Sequence, residues 1–343
     1  MVTTSYNFDL TAHNTFAMKV KCNCFMEYTT PEDIPFVLST IRKDVDMFHI
    51  GGGSNLLFTS DFPGVILHSA IKGIEVVDET PDSIILKVGA GETMDEFIKW
   101  CCDSGYWGLE NLSGIPGEVG ASAVQNVGAY GVEAGDKIVR VHAFDTDSHE
   151  FTTIEKADCL FGYRTSKFKL KDEKGRYIIH SVEYQLSKTS DPKIEYPALA
   201  NRIKDLNIES LSPHVIRDEI IEIRNSKLPD PDKIPSAGSF FKNPVVTEEQ
   251  YQNIAKIMGS TDFPHFKVDD GYKIPAAWLI DTCGWKGVKK GNAEVWKLQP
   301  LVIVNPTKSA SPEEIISLEN DIIRSIADKF GVVLSPEVEH IHP

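Results

Sequence analysis

The sequence predicts an α+β fold of two or three domains, and three observations carry that prediction. Helix and strand signals alternate along the chain rather than segregating. With 343 residues, 41% hydrophobic and 25% charged, there is material for more than one ordinary globular core. Two glycine-rich runs, His49–Leu57 (HIGGGSNLL) and Ser113–Gly131 (SGIPGEVGASAVQNVGAYG), interrupt the pattern with turns.

The elements follow in order. Cys22 and Cys24 alternate on a strand and share a face. Thr30-Pro31-Glu32-Asp33 reads as an N-cap with Pro at N1, and Ile34, Val37, Leu38 and Ile41 then recur at helical spacing. Met47, Phe48 and Ile50 form a strand into Gly51, completing a β-α-β outline. Ile84–Val88 is a β-branched strand ending in Gly89-Ala90-Gly91. Thr93-Met94-Asp95-Glu96 is expected to form a capping box for a helix stopping at Gly105. Val139–Phe144 and Tyr177–Leu186 read as strands of a mixed sheet. Ser311-Pro312-Glu313-Glu314 caps a helix closed by Gly331, and a short strand Val332–Leu334 is expected after it. The rigid, polar Lys227-Leu228-Pro229-Asp230-Pro231-Asp232 reads as a connector at a domain boundary.

The glycine runs carry the first functional signal. Without Cβ atoms, such backbone can turn its N–H groups toward something bulky and anionic, so the expected guest is a phosphorylated cofactor, with two cradles for two phosphates or one dinucleotide. Neither run is G-x-G-x-x-G, and the longer one lacks the Lys-Ser/Thr ending of a triphosphate loop. Tight turns alone would explain either run by itself.

A net charge of −15 argues against nucleic-acid and anionic-membrane partners. MVTTSYNFDLTAHNTF has no basic region leading an apolar stretch, and no apolar run is long enough to span a bilayer, so a cytoplasmic location is expected. Six cysteines without C-x-x-C spacing read as reduced, packed thiols, and no metal is expected. Trp278, Trp285 and Trp296 read as core or interface aromatics, while His13, His49 and His68 follow no spacing pattern.

Polar residues recur where loops should present them. In order, the chain carries GGGSN, GIPG.VGA with QN.GAYG, GYR.S.FK, KLPDP with AGSFFKNP, WLID with KG, and PEV near the end. This series, from Asn14-Thr15-Phe16 almost to the C-terminus, resembles the UDP-N-acetylenolpyruvoylglucosamine reductases, or UDP-N-acetylmuramate dehydrogenases, in the subtype with an inserted tyrosine segment. The resemblance implies a two-lobed FAD-binding fold of the vanillyl-alcohol-oxidase type plus a C-terminal α+β substrate-binding domain. It divides the chain into residues 1–70 (joined by 332–343), 71–226 and 227–331. FAD and NADPH are the implied cofactors, and the implied partner is a small-molecule UDP-sugar acted on by a monomer in peptidoglycan precursor synthesis.

By matching motifs, FAD would be held by Gly51, Gly52, Gly53, Ser54 and Asn55, by Ile115, Pro116, Gly117, Gly120, Ala121 and Ser122, and by Arg224. The implied reaction reduces an enolpyruvyl ether to a lactyl ether: hydride from flavin N5 adds to the terminal enol carbon and leaves an enolate, whose charge needs preorganised partners. Arg164, a planar bidentate donor, and Glu337 take that role, and Ser239 supplies the proton. Glu337 helps only with a proton of its own or through water, since a bare carboxylate would repel the enolate. Tyr130, Tyr163, Tyr196, Lys227, Asn243 and Gln299 match substrate-binding positions. Three residues depart from the family pattern: Pro197 follows Tyr196 where Gly is usual, and Glu294 and Trp296 replace a small residue and a His.

Read singly, Arg164 is a surface ion-pair partner, Ser239 a turn serine and Glu337 a solvated carboxylate; the ordered series outweighs those readings. An FAD-dependent oxidase or dehydrogenase of the same fold acting on another substrate is the alternative, because fold does not fix function. Against it, an alcohol oxidase has no need of a proton donor such as Ser239 opposite the flavin.

Overall fold

A computed structural model describes residues 1–204, 206, 211–231 and 233–342. The chain falls into two units: Met1–Phe8, Cys22–Gly52 and Pro63–Arg224 form the first, and Asp9–Lys21, Gly53–Phe62 and Asn225–Pro343 the second. Helices and strands are mixed in both, as the α+β reading expects. Of the predicted connector, Asp232 lies outside the described residues.

Among the described residues, unit 1 contains two large sheets besides a two-stranded hairpin. One orders Val2–Asp9, Lys21–Tyr28, Phe62–Ser69 and Met47–Ile50, with Met47–Ile50 parallel to Val65–His68. The other is antiparallel in the order Glu150–Glu155, Ile138–Asp145, Tyr177–Ser187, Ser83–Gly89 and Ile74–Glu79. On its central strands Leu86, Val88, Val141, Val182 and Tyr184 are fully buried, and each large apolar side chain contributes about 1.5–3 kcal/mol. The helix Met94–Asp103 buries Met94, Phe97, Ile98, Cys101 and Cys102, the i, i+3, i+4, i+7 stripe of a helix lying on a core. All six cysteines are free thiols, and burial pushes Cys102 up to about 12, which keeps it inert.

Two predicted caps differ. The first helix spans Asp33–Thr40, not from Pro31, and Thr30 does not cap it. Instead the Asp33 carboxylate accepts the N–H of Thr29 and of Thr30 and the N-terminal ammonium of Met1, which draws the segment before it into a turn. The Thr93–Glu96 capping box is not formed either. Tertiary partners take its place: Met94 N–H donates to Gly117 C=O, and Asp95 accepts from Gly114 N–H and bidentately from Arg217.

Two histidines of unit 1 are held neutral. Burial lowers His49, whose Nε2 lies 2.8 Å from the Tyr28 hydroxyl, and His180 to a pKa of about 4. The unfolded chain takes up these protons near pH 6.5 and the folded chain only near 4, so this contribution to stability is lost as pH falls between those values. Urea midpoints across that window should fall for the wild type and fall less for His49→Gln; identical profiles would contradict the assignment.

In unit 2 an antiparallel sheet orders Ser236–Ser239, Val302–Val304, Ala293–Val295 and Lys289–Lys290, and a second orders Val245–Val246, Gly271–Lys273 and Phe266–Val268. The long helix Pro312–Phe330 has its predicted box, Ser311 and Glu314 exchanging side-chain and backbone bonds, and ends at Gly331 with φ +69°. The strand expected at Val332–Leu334 is absent: Val332 and Leu334 are buried but pair with no ladder, so their apolar pattern reports burial alone. The C-terminal strand is Glu339–Ile341, parallel to Leu56–Phe58. Trp278 stacks on Phe263 at 5.1 Å and Trp285 donates to Ser325 Oγ at 2.6 Å, packing roles as expected. Among the described residues no helix is long and apolar enough to cross a membrane.

Candidate active site

The strand Met47–Ile50 delivers Gly51 and Gly52 to the end of unit 1, and the chain enters unit 2 at Gly53. A Cβ at Gly51 would stand 3.2 Å from both Ala121 Cβ and Glu118 Oε2, and one at Gly52 would meet nothing nearer than Gly117 Cα at 3.6 Å. Gly52 and Gly117 thus face each other without side chains. That surface fits a bulky phosphorylated group, which a pair of Cβ-bearing residues would obstruct.

The helix Val119–Gln125 contributes differently from the expectation of inward-turned donors. Val119 and Gly120 N–H donate to the carbonyls of Glu92 and Ala90, and a Cβ on Gly120 would stand 2.9 Å from Ala90 Cβ. Ser122 Oγ donates to Val119 C=O and lies 2.7 Å from the buried Tyr184 hydroxyl. Gly120 and Ser122 therefore seat the helix against neighbouring strands, while Ile115 packs on the core.

A second cluster in unit 1 gathers Arg164 and the tyrosines. Gly128–Ala129 and Val132–Glu133 form a hairpin whose turn residues Tyr130 and Gly131 have φ +49° and +86°, the left-handed pair of a type I′ turn. Arg164 Nη2 donates to Gly128 C=O at 2.6 Å, its guanidinium lies 5.2 Å from the Tyr163 ring centroid, and a Cβ on Gly128 would collide with its Nη1 at 2.8 Å. Asn126 ties the loop down, donating to Glu133 Oε2 and Gly162 C=O and accepting from Gly135 N–H. Tyr130 meets the Tyr196 ring edge-on at 5.3 Å, and Asn111 Nδ2 donates to both Tyr130 and Lys193 carbonyls. Arg224 Nε donates to Gly114 C=O and its guanidinium interacts with the Tyr130 hydroxyl. Pro197 at N1 starts the helix Pro197–Ile203, so the departure after Tyr196 is compatible with Tyr130–Tyr196 contact.

In unit 2 the segment after Ser239 pairs with the segment that carries Glu337. Glu337 N–H donates to Phe240 C=O at 2.8 Å, Phe241 bridges Pro336, and Lys242 N–H donates to Ser335 C=O, so 240–242 and 335–337 run side by side. On the other side Phe240 N–H donates to Leu301 C=O and Ser239 pairs with Val302. Asn55 clamps the PEV loop, giving its Nδ2–H to Glu337 C=O and accepting Glu339 N–H on its own carbonyl. Phe240 packs edge-on against His340, which is held by the buried Glu319 at 2.9 Å. Asn243 Oδ1 accepts Ala276 N–H at the start of the helix Ala276–Thr282, Gln299 C=O accepts Val302 N–H, and Trp296 Nε1 donates to Lys227 C=O at 2.9 Å.

The structure thus groups Arg164, Tyr163, Tyr130, Tyr196 and Arg224 in unit 1, and Ser239, Glu337, Asn55, Lys227, Asn243 and Gln299 in unit 2. Sequence reasoning missed Asn111, Asn126 and the His340–Glu319 pair, and it assigned nothing to His68, which lies between Glu27 and Glu118. His68 is 41 and 50 residues from these partners, so no local spacing could have revealed the array.

Residues 23–153 match the family described as FAD binding domain, and residues 230–341 that described as UDP-N-acetylenolpyruvoylglucosamine reductase, C-terminal domain. Fold and site together define a flavoprotein oxidoreductase. A UDP-N-acetylenolpyruvoylglucosamine reductase of Bacteroides fragilis (strain YCH46) is 42% identical over 335 residues, covering 97% of this chain and 99% of its own. One from Porphyromonas gingivalis (strain W83) is 41% identical over 342 residues, with 98% of each covered. The chain belongs to the UDP-N-acetylenolpyruvoylglucosamine reductase family. The crystal structure of the Thermus caldophilus UDP-N-acetylenolpyruvylglucosamine reductase has the same fold, with TM-score 0.68 over 100% of this chain and 99% of that one at 21% identity.

Proposed function

We propose that the chain reduces UDP-N-acetylglucosamine enolpyruvate to UDP-N-acetylmuramate, with NADPH as reductant and FAD as carrier. The bond from Glu337 N–H to Phe240 C=O is the observation that supports this reading, because Phe240 directly follows Ser239 and so the segments carrying the two residues lie side by side in one unit. FAD, when bound, supplies the two-electron transfer. Gly51, Gly52 and Gly117 would hold it in unit 1, Gly53, Ser54 and Asn55 being the part of the motif that lies in unit 2. Arg164, oriented by Gly128 C=O and Tyr163, grips the substrate carboxylate and takes up the charge that develops there. Glu337 joins it with a proton on its carboxyl, and Ser239 delivers a proton to the remaining carbon. The tyrosines 130, 163 and 196 with Lys227, Asn243 and Gln299 bind the UDP-sugar. The proposal keeps the three-part division at residues 70/71 and 226/227, a monomer, and a cytoplasmic place in cell-wall precursor synthesis.

Anaerobic reduction of the flavin with NADPH, followed by addition of the enolpyruvyl substrate, tests this directly. Prompt return of the oxidised flavin absorbance is expected; reduced flavin that ignores the substrate would overturn the assignment. Lys227→Ala should raise KM for the UDP-sugar about tenfold or more with kcat little changed, the pattern of lost binding. Trp296→Phe, which removes the indole N–H held by Lys227 C=O, should raise it about threefold by loosening the lysine. A fall in kcat at unchanged KM would contradict both.

A further inference from the structure

One array beside the glycine turn has no part in the proton and charge chemistry above. His68, on the strand Phe62–Ser69, is in register with Ile50, one residue before Gly51. Its Nδ1 lies 2.9 Å from Glu27 Oε2 and its Nε2 2.9 Å from Glu118 Oε1. Glu118 continues to the turn: its Oε2 is 3.2 Å from where a Gly51 Cβ would stand, its Oε1 3.9 Å from that of Gly52, and Gly117 directly precedes it. The His68 and Glu118 side chains are only 14% and 15% exposed.

Chemistry restricts the protonation of this array. Ionised carboxylates only accept, whereas a neutral imidazole has one N–H to give, so two carboxylates on its two nitrogens call for the imidazolium. Burial alone would lower the His68 pKa; hydrogen bonds and charge from Glu118, then Glu27, outweigh it and hold the ring above its usual value. An uncompensated Glu118 carboxylate against Gly51 and Gly52 would repel an anionic diphosphate, and poor solvent access would leave the repulsion little screened.

We propose that His68 is a positioning residue of the FAD cradle: as an imidazolium it cancels the Glu118 charge and fixes that side chain beneath the Gly51–Gly52 turn, which makes the turn fit for a diphosphate. The inference rests on the assignment of Gly51, Gly52 and Gly117 to FAD. It also explains how a carboxylate is accommodated in the otherwise uncharged GIPGEVGA segment.

The test follows release of FAD from the holoprotein by the rise in free-flavin fluorescence, and so needs no turnover. At pH 7 His68→Gln should weaken FAD about tenfold, the equivalent of roughly one pKa unit of lost interaction. Adding Glu118→Gln to that variant should restore most of the affinity, because the repelling charge goes with it. The wild type should lose FAD affinity as pH rises through the raised pKa of His68, and Glu118→Gln should not. Among the described residues Glu27 on Lys21–Tyr28 and His49 on Met47–Ile50, hydrogen-bonded to Tyr28, also act on the ring, and His49 is already neutral above pH 5. Unchanged affinity in His68→Gln, or no rescue by the second substitution, would overturn the inference. Gly52→Val separates it from its premise, since a Cβ there meets nothing in the protein nearer than 3.6 Å. If Gly52→Val binds FAD as tightly as wild type, the cradle assignment itself falls; if it loses FAD while His68→Gln does not, only the role of His68 falls.

Discussion

Ser239→Ala should leave NADPH-driven flavin reduction within about twofold and slow reoxidation by the enolpyruvyl substrate by about 10²–10⁴-fold, the usual worth of a positioned acid. The asymmetry follows from the chemistry, because only the second half-reaction places a proton on carbon. Ser239 also stands on a supported strand: it pairs with Val302, and the next residue, Phe240, is bonded to Leu301 and to Glu337. Removing one hydroxyl leaves those backbone bonds in place, so a rate loss in the second half-reaction reports the proton and not the fold. Stopped-flow absorbance resolves the two halves. Equal slowing of both would remove Ser239 from this role and leave it as a turn residue after Gly238, whose φ is +69°.

Gly53→Ala should destabilise the chain by about 2–5 kcal/mol, from a left-handed backbone and from overpacking together. Gly53 has φ +64°, and a Cβ there would stand 2.0 Å from His13 C=O oxygen and 2.9 Å from Asn14 Cα, backbone atoms that cannot rotate away. The surrounding loop is tightly bonded: Thr15 N–H donates to Gly53 C=O, and buried Asn14 bonds Leu10, Met18 N–H and Met18 C=O. Gly105→Ala is the control, since Gly105 has φ +76° with nothing within 4 Å, and should cost only about 1–2 kcal/mol for the backbone. Urea unfolding of the two variants decides the matter; equal losses would mean that the His13 loop yields, and that Gly53 is kept for its backbone conformation alone.

Legibility differed by element. The helix Pro312–Phe330 was readable end to end because Ser311, Glu314 and Gly331 act within a few residues of one another. The strands around Val141 and Val182 were readable from β-branched composition. Thr93 and Thr30 were misread as capping residues because other groups order these two turns: Met94 N–H reaches Gly117 C=O, and the Asp33 carboxylate accepts the N–H of Thr29 and of Thr30. Val332–Leu334 was misread because an apolar alternation specifies burial, while a ladder also needs a neighbour with free backbone groups.

The same division holds at the site. The two glycine runs pointed by themselves to a phosphorylated cofactor, since each is a local arrangement of backbone freedom, and the class of chemistry followed from the resemblance that the ordered series of motifs carries. Tertiary structure alone decided what each motif touches. It engaged Gly120 and Ser122 in seating a helix, paired Phe240 with Glu337 across nearly a hundred residues of chain, and placed His68 between Glu27 and Glu118 beneath the Gly51–Gly52 turn. Those outcomes depend on which distant backbone and side-chain groups compete for each donor, and that competition is settled only when the strands and helices pack.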